Sequence, residues 1–327
     1  MDASFPDTTH PAFPVRNEAY LSSSDKLAAK GSLIVSCPHA GRLFPNREAF
    51  ERRILRPMLA LDGRGDTFTD WLAVSAKDHG GIEVVSTIAP IFLNVGRSVH
   101  SLHPKTVRGA LDTLTCDPSD IYAEKGQGLV ATTCFFTGEP IYAEGDVPDE
   151  AEILDRIAGY YTPFHDRLQA HIDATHEQHG YAFVLDVHSC PTFAGEGEPD
   201  ATGSRRPDII LGSAGGGQNG SCSDEITKMA SDLAIDFGYS IGVNNPYQGG
   251  FITQRYGAHN ADNGLRTEAL QIEFARSTYG LNQDTLEINS RENFEKVQDF
   301  MDRLLKNLSE YARQQSSCMM GLPPFPG

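Results

Sequence analysis

Short apolar runs that end in polar residues alternate along the chain with stretches of helical period. The strongest run, residues 182–187, is interrupted only by Asp186 and ends at His188. This is the pattern of a buried parallel strand. Similar runs predict further strands at 33–37, 82–87, 91–95, 208–212, 239–243 and 269–274.

Helical periodicity or capping residues mark the segments between these runs. Helices are predicted from Asn46 to about Leu61, from Asp66 to about Ala76, and from 148–150 through an apolar stripe that ends at Ile172. Two more are predicted, one after the loop 213–220 that ends at about Phe237, and one over 290–313. Strands that alternate with helices predict an α/β fold. The sheet should be mostly parallel (mixed), with helices covering both of its faces.

The same patterns divide the chain of 327 residues. Residues 1–30 mix Pro, Ser, Asp and Lys and are expected to form an arm laid over the domain. Residues 31–313 should form a single α/β domain with aperiodic, glycine-rich inserts near 98–146 and 194–206. Long loops of this kind usually serve as lids or binding loops. The tail 314–327 is expected to be frayed.

Charge and cysteine usage narrow the class of protein. The formal net charge of −17 disfavours nucleic acid or an anionic membrane as a partner. The six cysteines include no C-x-x-C pair, so neither a disulfide framework nor a zinc ribbon is indicated. No leader-like or membrane-spanning stretch is recognised, and we therefore expect a cytoplasmic protein. The oligomeric state is not predicted.

Two histidines follow the ends of predicted strands. His39 comes shortly after the strand at 33–37 and His188 ends the strand at 182–187. Ligands of open α/β sheets bind outside the carboxyl ends of the strands, so the pair favours a shared divalent metal. The alternative is that each histidine is structural and bonds a loop carbonyl.

A hydrolytic zinc site needs a third protein ligand and an open position. Asp66 is the preferred carboxylate, with Asp62 and Asp186 as alternatives. Asp66 could instead cap a helix, on which it would share one face with Asp70. Asp186 shares the face of His188 and could accept a hydrogen bond from that ring.

Further residues are candidates for catalysis or binding. Glu273 interrupts an apolar strand, where burial would raise its pKa toward that of a general base, although an ion pair with Arg276 is equally compatible. Arg97 could hold a substrate carboxylate or an oxyanion, or simply be solvated. His165 lies on an apolar helical stripe and is interpreted as a core residue. The loop 213–220 is a weak candidate for a phosphate cradle, which leaves a nucleotide-binding module as the competing class.

An ordered set of motifs over residues 31 to 280 resembles the N-formylglutamate amidohydrolase family, which is related in fold to zinc carboxypeptidases and aspartoacylase. The matching segments are 36–41, 65–72, 92–97, 128–142, 161–165, 185–189, 207–212, 249–253 and 271–273. The resemblance implies zinc ligation by His39, Asp66 and His188, and Glu273 as the base that activates water. It also implies that Arg97 contacts the substrate or the oxyanion, and that Asn94, Gly249, Gly250 and Thr253 line the substrate pocket.

The activity implied by the resemblance is hydrolysis of the N-formyl amide of an acidic amino acid such as N-formyl-L-glutamate. Another N-acyl amino acid is the alternative substrate, because the chain departs from the family at two places. Asn94-Val95-Gly96-Arg97 stands where the family tends to have Asp-Leu-Asn-Arg, and Gln254 stands where it often has Arg. Arg255 or Arg206 is expected to hold the α-carboxylate of the substrate.

Overall fold

The structure is a computed structural model that describes residues 15–16, 19–27, 30–57, 65–134, 137–196, 198–216, 220–257 and 266–320. A mixed sheet of eight strands runs through this part of the chain. The strands are β1 (Val15–Arg16), β2 (Tyr20–Ser22), β3 (Leu33–Cys37), β4 (Ile82–Ser86), β5 (Tyr181–Cys190), β6 (Ile209–Gly212), β7 (Ile241–Val243) and β8 (Arg266–Ala275).

The strand order β1-β2-β4-β3-β5-β8-β6-β7 places four mutually parallel strands, β4, β3, β5 and β8, in the middle of the sheet. The pairs β1–β2, β2–β4 and β6–β8 are antiparallel, and β6 and β7 are parallel. His188 of β5 lies directly opposite Glu273 of β8. Because β3, β5 and β8 end at the same edge, this edge gathers the polar residues that follow them.

The helices are α1 (Arg47–Glu51), α2 (Thr69–Leu72), α3 (Ile121–Glu124), α4 (Glu150–Arg156), α5 (Thr162–His179), α6 (Asp224–Asp236), α7 (Phe251–Tyr256) and α8 (Arg291–Met319). A π-helical segment, Ile157–Tyr161, joins α4 to α5. Helix α8 packs on β3 and β5 from one face of the sheet, and α5 packs on β3, β4 and β5. The two apolar clusters on either side contain the odd and even positions of β3 respectively, as strand alternation requires. The predicted α/β class with a mixed, helix-covered sheet is confirmed.

Both predicted ends of the domain differ from the structure. The described part of the segment expected to be an arm, 1–30, contributes β1 and β2 to the sheet. His171 of α5 contacts Ser22 Oγ at 3.2 Å and holds this segment in place. The last helix runs past 313 to Met319, because Ser316 and Ser317 are buried and the hydroxyls of Ser316 and Ser32 are 2.7 Å apart. The prediction of a frayed tail was therefore wrong for residues 314–319; residues 321–327 lie outside the described part.

Three local predictions were also wrong. Residues 91–95 form a turn and not a strand. Their apolar side chains are buried in the core, and the N–H of Asn94 donates to the carbonyl of Leu129 instead of to a neighbouring strand. Helix α1 ends at Glu51, and Asn46 is in the left-handed region (φ 50°) without a capping bond. Asp66 precedes α2, which begins at Thr69, so Asp66 and Asp70 share no helical face. No helix in the described ranges has the length and apolarity to cross a bilayer.

Candidate active site

Three predicted ligands meet at the carboxyl edge of the sheet. Asp66 Oδ2 lies 3.0 Å from His188 Nδ1 and 3.3 Å from His39 Nδ1, and the two Nδ1 atoms are 3.2 Å apart. Among the described residues, these three side chains form a group with one donor atom each, all within 4.8 Å of one another. Asp186 is not in this group, and Asp62 lies outside the described residues.

The opposite nitrogens of both rings face hydrogen-bond acceptors. His188 Nε2 donates to Asp186 Oδ2 at 2.9 Å, and His39 Nε2 donates to Asn94 Oδ1 at 2.7 Å. The orientation of the Asn94 amide is fixed because the same oxygen accepts from Gly96 N–H at 2.9 Å. With Nε2 of each ring directed to these acceptors, Nδ1 of each ring faces Asp66.

Two imidazole nitrogens and a carboxylate oxygen that converge this closely need a positive charge between them, which protons or a divalent cation can supply. The donor set therefore fits a metal of the imidazole-binding class. Burial alone would raise the pKa of Asp66, but hydrogen bonds from His188 and His39 hold it well below its usual range. Asp66 is also fixed by its N–H, which donates to His39 O at 2.8 Å, and by Ser189 Oγ, which donates to Oδ1 at 3.2 Å.

Glu273 lies beside this group on the neighbouring strand. Burial, reinforced by the charge of Asp66, raises the pKa of Glu273 to about 7 against an opposing effect of His188. Gln271 Nε2 donates to Glu273 Oε1 at 2.7 Å, and Gln271 Oε1 accepts from the N–H of Gly250. The carboxyl group is thus oriented by a side chain that is itself held by the loop before α7, and it has the affinity for protons that suits a general base.

A cavity of about 720 Å³ opens onto the donor group. Among the predicted substrate contacts, Arg97, Asn94, Gly249 and Gly250 line it. The Arg97 guanidinium carbon lies 3.8 Å from the ring centroid of Tyr122 in α3. The insert 98–146 therefore forms one wall of the cavity. The side-chain oxygen of Asn94 is engaged by His39 and Gly96, so Asn94 orients the His39 ring as well as lining the cavity.

Other predicted contacts lie away from the cavity wall. Thr253 is fully buried behind Gly249. Arg255 is exposed and lies over the rings of Phe251 and Tyr256. Arg206 is buried and paired with Glu198 and Asp200 at 2.8 and 2.7 Å, which leaves its charge compensated. The expectation that Arg255 or Arg206 holds a substrate carboxylate thus lacks a suitable geometry.

His165 is a core residue, as its place on the apolar stripe predicts. Its Nδ1 and Nε2 lie 2.8 Å from Tyr256 Oη and 2.9 Å from Val95 O, and burial lowers its pKa to about 4.

Sequence reasoning missed Gln271, Gly96 and Tyr122. Gln271 had a usable signal, because a residue two before Glu273 on a strand shares its face. Gly96 had none until the distance to His39 was known: a Cβ atom there would lie 2.6 Å from His39 Nε2. Tyr122 lies in an aperiodic insert, where nothing in the sequence indicates what its ring touches.

A model of the N-formylglutamate amidohydrolase family matches residues 31–280. The chain belongs to this family. N-formylglutamate deformylases of Pseudomonas putida and Pseudomonas aeruginosa are each 28% identical to it, over 76% of this chain and 81% of theirs. The structure of an N-formylglutamate amidohydrolase from Ralstonia eutropha JMP134 is similar with a TM-score of 0.77 at 23% identity, covering 91% of this chain and 99% of that one.

Family membership confirms the resemblance drawn from the ordered motifs, and the structural similarity confirms the fold. Family membership also favours a hydrolase over a nucleotide-binding module built on the loop 213–220. Residues 217–219 of that loop lie outside the described part of the chain.

Proposed function

We propose that the protein is a zinc-dependent amidohydrolase that cleaves the amide bond of an N-acyl amino acid. N-formyl-L-glutamate, which would give formate and glutamate, is the substrate to test first because relatives are named for it. The observation that carries the proposal is the convergence of His39, Asp66 and His188 beside Glu273. Two imidazoles and one carboxylate suit zinc better than magnesium.

Glu273 acts as the general base in this reaction. It takes a proton from the attacking water as the new C–O bond forms at the acyl carbonyl, and it passes that proton to the amide nitrogen as the C–N bond breaks. Its raised pKa near 7 allows both transfers at neutral pH. Gln271 holds one carboxylate oxygen, so the other can face the water. His39, His188 and Asp66 would hold a divalent cation, which would supply Lewis acidity to the carbonyl and the water.

Arg97 binds the carboxylate of the substrate. It lines the cavity with the metal-binding group, and its guanidinium offers donors in the geometry that a carboxylate accepts. A local cation is needed because the net charge of −17 repels an anionic substrate at long range. A cytoplasmic location is part of the proposal, consistent with six cysteines that are all free.

The test is release of formate from N-formyl-L-glutamate, with N-acetyl and neutral N-formyl amino acids assayed in parallel. Zinc content near one ion per chain is expected after purification. Glu273→Gln should keep the zinc and lose about 10²- to 10⁴-fold in kcat, the usual contribution of a general base. Turnover by Glu273→Gln equal to that of the parent would exclude Glu273 as the base. Hydrolysis of another N-acyl amino acid but not of N-formyl-L-glutamate would keep the chemistry and replace the substrate.

A further inference from the structure

Arg97 is held from two directions. The hydroxyl of Tyr161 donates to the Arg97 carbonyl at 3.0 Å, and the Arg97 N–H donates to Asn94 O at 3.1 Å. These bonds fix the backbone next to the ring of His39. The side chain is fixed separately, because its guanidinium carbon lies 3.8 Å from the centroid of the Tyr122 ring. That distance is a direct cation–π contact.

The contact with Tyr122 occupies the face of the guanidinium and leaves its edges for other partners. The N–H donors of arginine lie in the plane of the group, so stacking and bidentate binding of a carboxylate can occur together. No salt bridge to Arg97 occurs within the described ranges. Two nearby cavity-lining acids are engaged locally: Asp117 accepts from Ser119, and Asp120 caps α3.

Tyr122 is placed by its own backbone. Asp120 Oδ1 accepts from Tyr122 N–H at 2.8 Å, and the Tyr122 carbonyl accepts from Gln127 N–H at 2.7 Å. The insert that carries Tyr122 is joined to the loop that carries Arg97, because Asn94 N–H donates to Leu129 O at 2.8 Å. Next to it, Gly128 approaches Ser101 so closely that a Cβ atom would lie 2.1 Å from the Ser101 carbonyl oxygen. The two segments that carry the aromatic ring and the guanidinium are therefore fixed relative to one another.

We propose that Tyr122 is a positioning residue for substrate binding: its ring holds the Arg97 guanidinium so that its edges face the carboxylate of the substrate. This gives the insert 98–146 a defined role in selecting substrates that carry a carboxylate. The inference rests on the proposed function, in which Arg97 makes that contact. Tyr122 itself takes no part in bond breaking, so its loss affects binding and not the chemical step.

The test is a double-mutant cycle with Arg97→Ala, Tyr122→Leu and the combination, measured on the best N-acyl amino acid substrate. Tyr122→Leu should raise KM by about 3-fold to 30-fold, the range open to a cation–π contact, and leave kcat within about 2-fold. In the Arg97→Ala background, Tyr122→Leu should have no further effect. Tyr122→Phe keeps the ring and should restore the KM of the parent. Glu124→Ala, an exposed change in the same short helix, is the matched control for helix integrity.

The outcomes separate this inference from the proposed function. If Arg97→Ala raises KM but Tyr122→Leu does not, or if the two effects are additive, the role of Tyr122 is overturned and the proposed function stands. If Tyr122→Phe behaves like Tyr122→Leu, the ring does not carry the effect and the inference is again overturned. If Arg97→Ala leaves KM unchanged, the carboxylate contact of the proposed function fails and the role of Tyr122 fails with it. If no N-acyl amino acid is hydrolysed, both fail.

Discussion

Gly96→Ala is expected to damage the proposed zinc site without unfolding the protein. A Cβ atom at this position would lie 2.6 Å from His39 Nε2, 3.1 Å from His39 Cε1 and 3.2 Å from Asn94 Oδ1. Ordinary contact begins at 3.4 Å, so the imidazole would have to retreat by about 0.8 Å, the difference between 3.4 and 2.6 Å. Gly96 does not occupy the left-handed backbone region, so alanine adds no backbone strain.

A retreat of about 0.8 Å is large for a metal ligand, since ligand distances hold to within about 0.2 Å. The movement would also break the hydrogen bond from His39 to Asn94, and losing such an outer partner typically weakens metal binding by about 10- to 100-fold. We therefore expect the zinc Kd to rise by about that factor, which corresponds to a loss of about 1.4 to 2.7 kcal/mol in binding free energy.

The assay is competition of chelator-stripped protein with a zinc indicator, alongside circular dichroism to monitor the fold. Gly159→Ala is the matched control and should bind zinc like the parent, because among the described residues only its chain neighbours and its own helix backbone come within 4 Å of a Cβ there. If Gly96→Ala binds zinc as tightly as the parent while both stay folded, His39 is not a ligand in the arrangement described here. If the parent binds no zinc, the metal site itself is refuted.

Two further predictions concern charge. Glu83 is fully buried in β4 and neither carboxylate oxygen has a hydrogen-bond partner within the described residues; burial, then the charge of Asp70, raises its pKa well above 4.5. Above pH 4.5 the unfolded chain releases the Glu83 proton, whereas the folded protein keeps it. The free energy of unfolding therefore falls by up to about 1.4 kcal/mol for each pH unit above 4.5. Urea unfolding should show that the free energy of unfolding falls less between pH 5 and pH 7 in Glu83→Gln than in the parent. An equal fall in both proteins would contradict the raised pKa of Glu83. Asn94→Asp adds a charged acceptor to His39 and should tighten zinc binding while raising KM for an anionic substrate; calorimetry and kinetics that show neither change would rule out the role of Asn94.

The part of the site that sequence could predict is the part built on strand ends. His39, His188 and Glu273 follow or lie in three neighbouring parallel strands, and such strands bring their carboxyl ends together whatever the loops do. The choice of Asp66 as third ligand was less secure from local sequence, since a helix cap was equally compatible. In the structure Asp66 does not cap α2, and its side chain lies beside the two histidines; its role as a ligand stays a prediction.

The rest of the site could not be predicted because it depends on long-range packing. Residues 91–95 are as apolar as a strand, and an apolar run is equally stable in a buried turn when another segment supplies its hydrogen bonds, as Leu129 does for Asn94. Tyr122 comes from the insert with no period, so its contact with Arg97 has no local signature. Strands β1 and β2, which extend the sheet beyond β4, could not be predicted because the segment that carries them has a mixed composition.

Two of the three departures from the family's pattern in 94–97, Asn94 and Gly96, act together on His39. Asp186 gives His188 a charged acceptor, whereas Asn94 gives His39 a neutral one. If the proposed divalent cation is bound, Asp66 and Asp186 would offset its charge, and an aspartate at position 94 would add a further negative charge near Arg97. That charge would oppose binding of an anionic substrate to a protein whose net charge is already −17. Gly96 complements Asn94 sterically, because any side chain there would displace the ring that the Asn94 oxygen holds. The pair therefore holds the ring of His39 beside Asp66 and, under the proposed function, leaves Arg97 as the local cation for substrate.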